Sequence, residues 1–286
     1  MTTEPAVPIR ILTIGDVFGS PGRAIVRAEL PRLREELALD LVVVNAENAA
    51  GGFGITRKTA AELLAAGADV LTTGTHVWDR REAASVMEAD DRILRPANYP
   101  PGTPGRGWRI VELTSGASVA VVNVHGRALV TTPFDCPFRA IDSLLGGPLA
   151  EIRTVVVDFH AEATSEKRAL GWHLDGRVSA VVGTHTHVAT ADEEILPAGT
   201  AYQTDLGMTG PHRSVIGARR RQALGRFLDG RPHRLKVAAG DVRLHGALIE
   251  VDPSTGLAFS IARVRVNRPG GAEDDPVHRK KDRKGC

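Results

Sequence analysis

Six apolar runs in this chain each end in polar residues of the kind that ligate metal ions, and this repetition constrains the fold more than any other feature. The runs and their polar ends are TIGD (Asp16), VVVNAEN (Glu47, Asn48), LTTGTH (Thr75, His76), VVNVHG (Asn123, His125), VVVDFH (Asp158, His160) and VVGTHTH (His185, His187). In an open α/β sheet, ligands bind in the crevice outside the carboxyl ends of the strands. The pattern therefore predicts strands that deliver these side chains to one site.

The order of apolar and amphipathic segments predicts the α/β class independently. The run LDLVVVNAEN is continuously apolar, which is typical of a strand buried on both faces. After a turn predicted at SPGR, residues 24–37 have helical periodicity with Pro31 as a kink, and Thr56 is placed to cap a second helix that Gly67 ends. Strands that alternate with helices indicate a largely buried sheet, and the last two apolar runs are expected to pair as a hairpin around PSTG.

Size and composition predict one domain over residues 1–268. The chain has 286 residues, and 42% of them are hydrophobic, which is enough for a substantial core. Residues 269–286 contain almost no core-forming side chains, so we predict a disordered polar and basic tail there.

Charge, cysteine content and hydropathy disfavour several classes of protein. The formal net charge of +2 is too balanced for a protein that coats nucleic acid. With two cysteines, one of them the last residue, a disulfide framework is not expected. The first ten residues lack a secretory signal pattern, and no apolar run has the length of a membrane span. We therefore predict a cytoplasmic protein with neither a membrane nor DNA as a partner, and leave homo-oligomers open.

Each polar strand end has an ordinary structural explanation when it is taken singly. An aspartate after a strand commonly forms a turn or caps a helix, and a lone histidine is commonly a satisfied core residue. Turn chemistry does not account for the same placement at six strand ends, so the combination favours a site.

The types of ligand narrow the choice of metal. Carboxylate, amide and imidazole donors without thiolate suit Fe, Mn or Zn and disfavour iron–sulfur clusters. One ion rarely needs so many donors, so the pattern favours a two-metal centre, whose ions lie about 3.5–4 Å apart and stabilise in-line displacement at phosphorus.

Long blocks of the chain resemble the YmdB-like branch of the calcineurin-like metallophosphoesterases. The blocks, in order, are GDVFGSPGR, NAENAAGGFGIT, TTGTHVWD, RPANYPPGTPG, DFHAEATSEK, GTHTHVATAD and YQTDLGMTGP, and the similarity extends from about residue 9 to about residue 266. The resemblance implies a four-layer αββα sandwich with two mixed β-sheets, and a dinuclear metal centre.

The resemblance also implies a role for each matching residue. One ion would be held by Asp16, Glu47, Asn48 and His187, and Glu47 would bridge to a second ion held by His160 and His185. His76 would be the general acid that protonates the leaving oxygen.

Thr75 departs from the family pattern. The family usually has Gly-Asn-His where this chain has Gly-Thr-His, with the asparagine on the second metal. A threonine hydroxyl is a shorter and weaker neutral ligand than an amide oxygen. We therefore expect Thr75 at the second ion, and we expect that ion to be labile.

The function implied is hydrolysis of 2′,3′-cyclic nucleotides by a metal-bound hydroxide, with cleavage of the 2′ ester bond to give a 3′-nucleotide. Two Fe or Mn ions are the expected cofactors, with Zn as an alternative. Two other functions remain open: a phosphomonoesterase or nucleotidase that uses the same metals, and a regulatory protein that senses nucleotides with little turnover.

Residues near these motifs have lesser expected roles. Phe53 and Tyr99 are candidates to stack on a nucleobase. Asp205 is a candidate to orient the ligands, whereas Asp79 is expected to help start a helix after His76.

The spacing of His185 and His187 leads to a geometric expectation. If the backbone stays extended through both, residues i and i+2 leave the same face of the strand. The two imidazoles would then serve neighbouring ions.

Overall fold

The computed structural model describes residues 7–268, which form two mixed six-stranded sheets and six helices. The strands are β1 (Ile9–Ile14), β2 (Leu41–Asn45), β3 (Val70–Thr72), β4 (Trp108–Glu112), β5 (Ser118–His125), β6 (Thr154–His160), β7 (Ala180–Thr184), β8 (Glu194–Ile195), β9 (Ala201–Gln203), β10 (Gly210–Pro211), β11 (Val242–Val251) and β12 (Ala258–Arg268). The helices are α1 (Gly19–Glu36), α2 (Arg57–Ala65), α3 (Ala83–Ala89), α4 (Pro137–Leu145), α5 (Thr164–Leu174) and α6 (Arg220–Asp229).

The first sheet carries the amino-terminal strands. Its central order is β10-β11-β1-β2-β3, and β12 pairs with β11. Strands β1, β2 and β3 are parallel to one another, whereas β11 runs antiparallel to β1 and to β12. The hairpin predicted around PSTG is therefore confirmed.

The second sheet has the order β4-β5-β6-β7-β9-β8. Its inner strands β5, β6, β7 and β9 are parallel, and the edge strands β4 and β8 are antiparallel to their neighbours. His125 and His160 lie side by side in this register, at the carboxyl ends of β5 and β6.

The two sheets pack face to face, with helices on both outer faces. Alternate residues of β1 face opposite sides of the first sheet. Ile11 lies in the core shared with Val156 of the second sheet, whereas Leu12 packs under α1 and α2. A third apolar cluster joins the outer face of the second sheet to α4 and α5, through Ile141 and Leu170. The predicted four-layer αββα sandwich is confirmed.

Two local predictions are confirmed, one is corrected, and the kink at Pro31 stays a prediction. Thr56 caps α2 in a reciprocal pair with Thr59, and Gly67 follows the helix end with a φ of 108°. The SPGR segment, however, is not a turn, because α1 begins at Gly19 and runs through both Pro21 and Pro31. Pro21 lies in the first turn of α1, where proline is tolerated because its missing N–H would be unpaired in any case.

Two further predictions are limited by the range of residues that the structure describes. The tail proposed for residues 269–286 lies outside the described residues. Within residues 7–268, no helix is both long and apolar enough to cross a membrane.

Candidate metal centre

The predicted ligands come together where strands of both sheets end. Asp16 follows β1, and Glu47 and Asn48 follow β2; His160 ends β6, and His185 and His187 follow β7. All of them are buried except His185, which is partly exposed. Their assignment as ligands stays a prediction, but their convergence is a feature of the fold.

One group of donors consists of Asp16, Glu47 and His187. Each offers an oxygen or nitrogen, and these atoms all lie within 4.8 Å of one another. Asn48 joins this group, because its Oδ1 lies 3.1 Å from His187 Nε2. The arrangement matches the ligand set predicted for the first ion.

The second group consists of Glu47, His160 and His185, whose donor atoms also lie within 4.8 Å of one another. His160 Nε2 is 3.0 Å from Glu47 Oε2 and 3.0 Å from His185 Nδ1. Glu47 therefore belongs to both groups, as expected of a carboxylate that bridges two ions.

The histidine tautomers support cation binding. Nδ1 of His187 lies 3.0 Å from the carbonyl oxygen of Ile216, and Nε2 of His185 lies 2.8 Å from a carboxylate oxygen of Glu162. Carbonyl and carboxylate oxygens accept hydrogen bonds, so these nitrogens carry the protons. The opposite ring nitrogens keep lone pairs, and they are the ones that face the two groups.

The buried charges also fit a cation. Asp16 Oδ1 is buried without any hydrogen-bond partner. Burial, reinforced by the charge of Glu47, raises the pKa of Asp16 well above its usual value. Burial lowers the pKa of His160 to about 3, which keeps the imidazole neutral, as a metal ligand must be. Divalent cations here would compensate both carboxylates.

A buried network below the site fixes His160. Its Nδ1 donates to Thr184 Oγ1 at 2.9 Å, and Thr184 donates to Asp158 Oδ1 at 2.7 Å. Asp158 also accepts hydrogen bonds from Asn45 and Thr72 of the first sheet. Burial raises the pKa of Asp158 to about 6. The network joins the two sheets directly beneath the second donor group.

The extended backbone expected at His185 and His187 is wrong. Strand β7 ends at Thr184, and the two histidines have φ angles of 102° and 66°. Such positive values are uncommon for residues with a side chain and cost on the order of 1–3 kcal/mol each. The chain thus turns left-handed twice to send the two imidazoles to different donor groups.

Asp205 supports this strained turn. Its Oδ2 accepts from the backbone N–H of Thr186 at 3.1 Å and from the Thr186 hydroxyl at 2.8 Å. The same oxygen lies 2.7 Å from Lys167 Nζ, and both side chains of that ion pair are buried. Asp205 therefore holds the residue that lies between the two histidines.

Thr75 lies beside the second group. Its Oγ1 is 3.4 Å from His185 Nδ1 and 2.9 Å from Nε2 of His125. Taken alone, a histidine in the position of His125 is expected to be a satisfied core or surface residue. It is buried, and its ring stacks on Phe134 with centroids 4.1 Å apart.

His76 lies at the edge of the site, and its side chain is 30% exposed. Its backbone N–H donates to Glu47 Oε2 at 3.2 Å, which holds it next to the carboxylate that both donor groups share. Its Nδ1 lies 2.8 Å from Asp79 Oδ2.

The role expected for Asp79 at a helix start is wrong, because α3 begins only at Ala83. Asp79 instead orients the imidazole of His76. The i, i+3 spacing of the two residues was the available signal in the sequence.

A cavity of ≈ 280 Å³ lies over the donor groups. Its lining includes Glu47, His76, His185, Phe53 and Lys236. Phe53 packs edge-on against His76, with ring centroids 5.0 Å apart, so one of the two proposed stacking residues lies at the site.

Tyr99, the other proposed stacking residue, lies elsewhere. It packs against Trp78 and Phe134, and it lines a separate cavity.

Gly74 is required by the close approach of His160. A Cβ at this position would lie 2.2 Å from the His160 ring, far inside van der Waals contact. We expect Gly74→Ala to displace the imidazole, to weaken binding of a second metal ion, and to lower stability by about 1–3 kcal/mol through overpacking. Metal content after Mn²⁺ loading and a thermal melt measure both effects.

Gly146→Ala is the matched control for that substitution. Its added methyl group meets only the carbonyl oxygen of Asp142, at 3.3 Å, at the end of α4. Equal Mn²⁺ content in Gly74→Ala and wild type would contradict the packing argument.

Sequence comparison matches the chain to one family profile. The profile described as YmdB-like protein covers residues 12–264. The match therefore includes every strand end that carries a predicted ligand.

Individual relatives match over almost the whole chain. A Bacillus subtilis protein named 2′,3′-cyclic-nucleotide 2′-phosphodiesterase is 46% identical over 259 residues, which are 91% of this chain and 97% of the relative. Among solved structures, a hypothetical protein from Thermus thermophilus is 44% identical with a TM-score of 0.86, covering 91% of this chain and all of the other. A protein from Mycoplasma pneumoniae described as a novel phosphatase is 35% identical with a TM-score of 0.85, covering 94% and 95% of the two chains.

Proposed function

The chain belongs to the YmdB-like protein family, and from this membership we propose that it is a metal-dependent phosphodiesterase that hydrolyses 2′,3′-cyclic nucleotides. The observation that carries the proposal is the position of Glu47 in two separate groups of donors beneath one small cavity. Two-metal sites of this kind are typical of enzymes that act on phosphate esters.

The electrostatics of the site support a need for metal. Asp16 and Glu47 are both buried, and ionisation of both without a cation would place negative charge where an anionic phosphodiester would bind. Bound cations would reverse this charge, polarise the phosphoryl oxygens and activate water for attack on phosphorus. Asp16, Asn48 and His187 would hold one ion, and His160, His185 and Thr75 the other, with Glu47 shared.

The protein's own contribution to catalysis is a proton and a fixed position. Asp79 accepts a hydrogen bond from Nδ1–H of His76, so that when both ring nitrogens are protonated, Nε2–H is the group left to give a proton to the leaving 2′ oxygen of the ribose. The T-shaped contact of Phe53 with His76 places an aromatic side chain where a nucleobase could stack. The small volume of the cavity suits a nucleotide better than a folded nucleic acid.

The assay that tests this function compares three substrates on Mn²⁺-loaded protein: 2′,3′-cAMP, 3′-AMP and 2′-AMP. We expect turnover of the cyclic compound to 3′-AMP and little turnover of either monoester, with the products separated by chromatography. Faster hydrolysis of 3′-AMP than of 2′,3′-cAMP would instead identify a phosphomonoesterase. Binding of 2′,3′-cAMP without hydrolysis would identify a nucleotide-sensing protein.

We propose Fe or Mn as the resident metals, with a labile second ion because Thr75 offers only a hydroxyl. Replacing Thr75 with asparagine supplies an amide oxygen at the same position, so we expect it to increase the affinity for the second Mn²⁺. Titration of metal-free protein with Mn²⁺ measures the change. Two ions bound with equal affinity in wild type and Thr75→Asn would contradict the weak-ligand argument.

A further inference from the structure

His125 is a buried histidine to which the proposed mechanism gives no role. It ends β5 and is completely inaccessible to solvent. Its ring centroid lies 5.2 Å from that of His160 and 6.4 Å from that of His185, the two imidazoles of the second donor group. A neutral buried imidazole needs partners for both nitrogens, and the identity of these partners indicates what His125 does.

The hydrogen bonds of His125 determine which nitrogen carries its proton. Nδ1 lies 2.7 Å from the carbonyl oxygen of Gly126, which can only accept, so Nδ1 is the donor. Nε2 therefore has a lone pair. Stacking on Phe134, with an interplanar angle of 11°, holds the ring in this orientation.

The lone pair on Nε2 orients the hydroxyl group of Thr75. Nε2 lies 2.9 Å from Thr75 Oγ1, and since Nε2 can only accept, the hydroxyl donates its proton to it. The lone pairs of Oγ1 are then free on the side of His185 Nδ1, which lies 3.4 Å away. That nitrogen is also one of the donor atoms of the second group.

We propose that Thr75 and His125 act as one unit in the second metal site: Oγ1 is a donor to the second ion, and His125 is the positioning residue that keeps the hydroxyl proton turned away from it. A hydrogen bond of the same kind, from Nδ1 to a backbone carbonyl oxygen, orients His187, whose Nδ1 donates to the carbonyl oxygen of Ile216. Partners of this kind orient metal ligands and increase their basicity. The inference rests on the proposed function only in requiring that the second donor group binds metal.

The experiment is a Mn²⁺ titration of metal-free protein, followed by electron paramagnetic resonance and total metal content. A lone Mn²⁺ and a spin-coupled pair give different spectra, so occupancy of the second site is read without any activity assay. Four single variants are compared with wild type: Thr75→Val, Thr75→Ser, His125→Phe and His125→Gln. The double variant Thr75→Val/His125→Phe completes a cycle.

We expect the affinity for the second Mn²⁺ to depend on whether a variant keeps the hydrogen-bonding group of the residue it replaces. Thr75→Val keeps the shape but lacks the hydroxyl, and His125→Phe keeps the stack on Phe134 but lacks the acceptor. Both should weaken the second Mn²⁺ by on the order of 10–100-fold while the first stays bound. Thr75→Ser and His125→Gln should recover much of that loss. The double variant should resemble the single variants, because the two residues act as a unit.

Other outcomes overturn the proposal. Wild-type affinity for the second Mn²⁺ in Thr75→Val would exclude the hydroxyl as a donor. Wild-type affinity in His125→Phe, or equal losses in His125→Phe and His125→Gln, would leave His125 only a packing role. Additive losses in the double variant would show two independent contributions. If the pattern holds but 2′,3′-cAMP is not hydrolysed, the metal site stands and the proposed function fails.

Discussion

Replacement of Glu47 by glutamine is expected to remove both metal ions and to abolish hydrolysis. Glu47 belongs to both donor groups and is almost completely buried, so no solvent or neighbouring carboxylate can take over its charge at both positions. Glutamine keeps the volume but loses the charge. We expect the affinity for each Mn²⁺ to fall by more than the roughly 10–100-fold typical when a supporting hydrogen bond is lost. Metal content and the spectrum of bound Mn²⁺ measure this.

A thermal melt gives a second readout of the same substitution. A ligand that binds only the folded protein stabilises it by about 2.7 kcal/mol at a concentration of 100 times Kd. Wild-type protein should therefore melt at a higher temperature with Mn²⁺ than with a chelator, whereas Glu47→Gln should melt at the same temperature in both.

Glu162→Gln is the matched control for Glu47. Glu162 lines the same cavity and lies 2.8 Å from His185 Nε2, but its side chain is 48% exposed and it belongs to neither donor group. We expect this variant to retain the first ion and to weaken only the second. Two tightly bound ions in Glu47→Gln would show that the two donor groups are not joined through this carboxylate.

Much of the site could be predicted because its residues are placed by interactions between residues that are close together in the sequence. Parallel strands bring their carboxyl ends to one edge of a sheet. Once the strands were recognised, the residues after β1 and β2 therefore had to lie near one another, and so did those at the ends of β6 and β7. The buried run at β2 and the cap at Thr56 are equally local. The packing of two sheets against each other was implied only by the resemblance. An apolar run shows that a strand is buried, but not which sheet or helix covers each of its faces.

The remaining features depend on contacts between distant parts of the chain. The left-handed turns at His185 and His187 are held by Asp205, a residue that follows β9 of the second sheet. Thr75 and His125 are 50 residues apart and follow or end strands of different sheets, so no spacing rule could pair them. Single-sequence patterns report periodicity and caps, but not which buried nitrogen faces which hydroxyl.

Replacing His76 with alanine is expected to lower kcat by about 10²–10⁴-fold, the usual contribution of a general acid. Both metal ions should remain, since His76 is in neither donor group and contacts Glu47 only through its backbone N–H, which alanine keeps. Hydrolysis of 2′,3′-cAMP under saturating Mn²⁺ measures kcat. Added imidazole should restore part of the rate, because its protonated form can donate a proton within the space the side chain has left.

Asp79→Asn tests the orientation of His76 without removing the acid. The amide can no longer accept a charge-assisted hydrogen bond from Nδ1, and its own N–H₂ group would favour the opposite tautomer. We therefore expect a smaller loss of kcat than in His76→Ala, no rescue by imidazole and unchanged metal content.

Two results for His76→Ala would contradict its role as the acid. A wild-type rate would remove this residue from the chemistry. Loss of either ion would show that its role is to support the metal site, because a proton donor that acts only on the leaving oxygen has no reason to alter metal affinity.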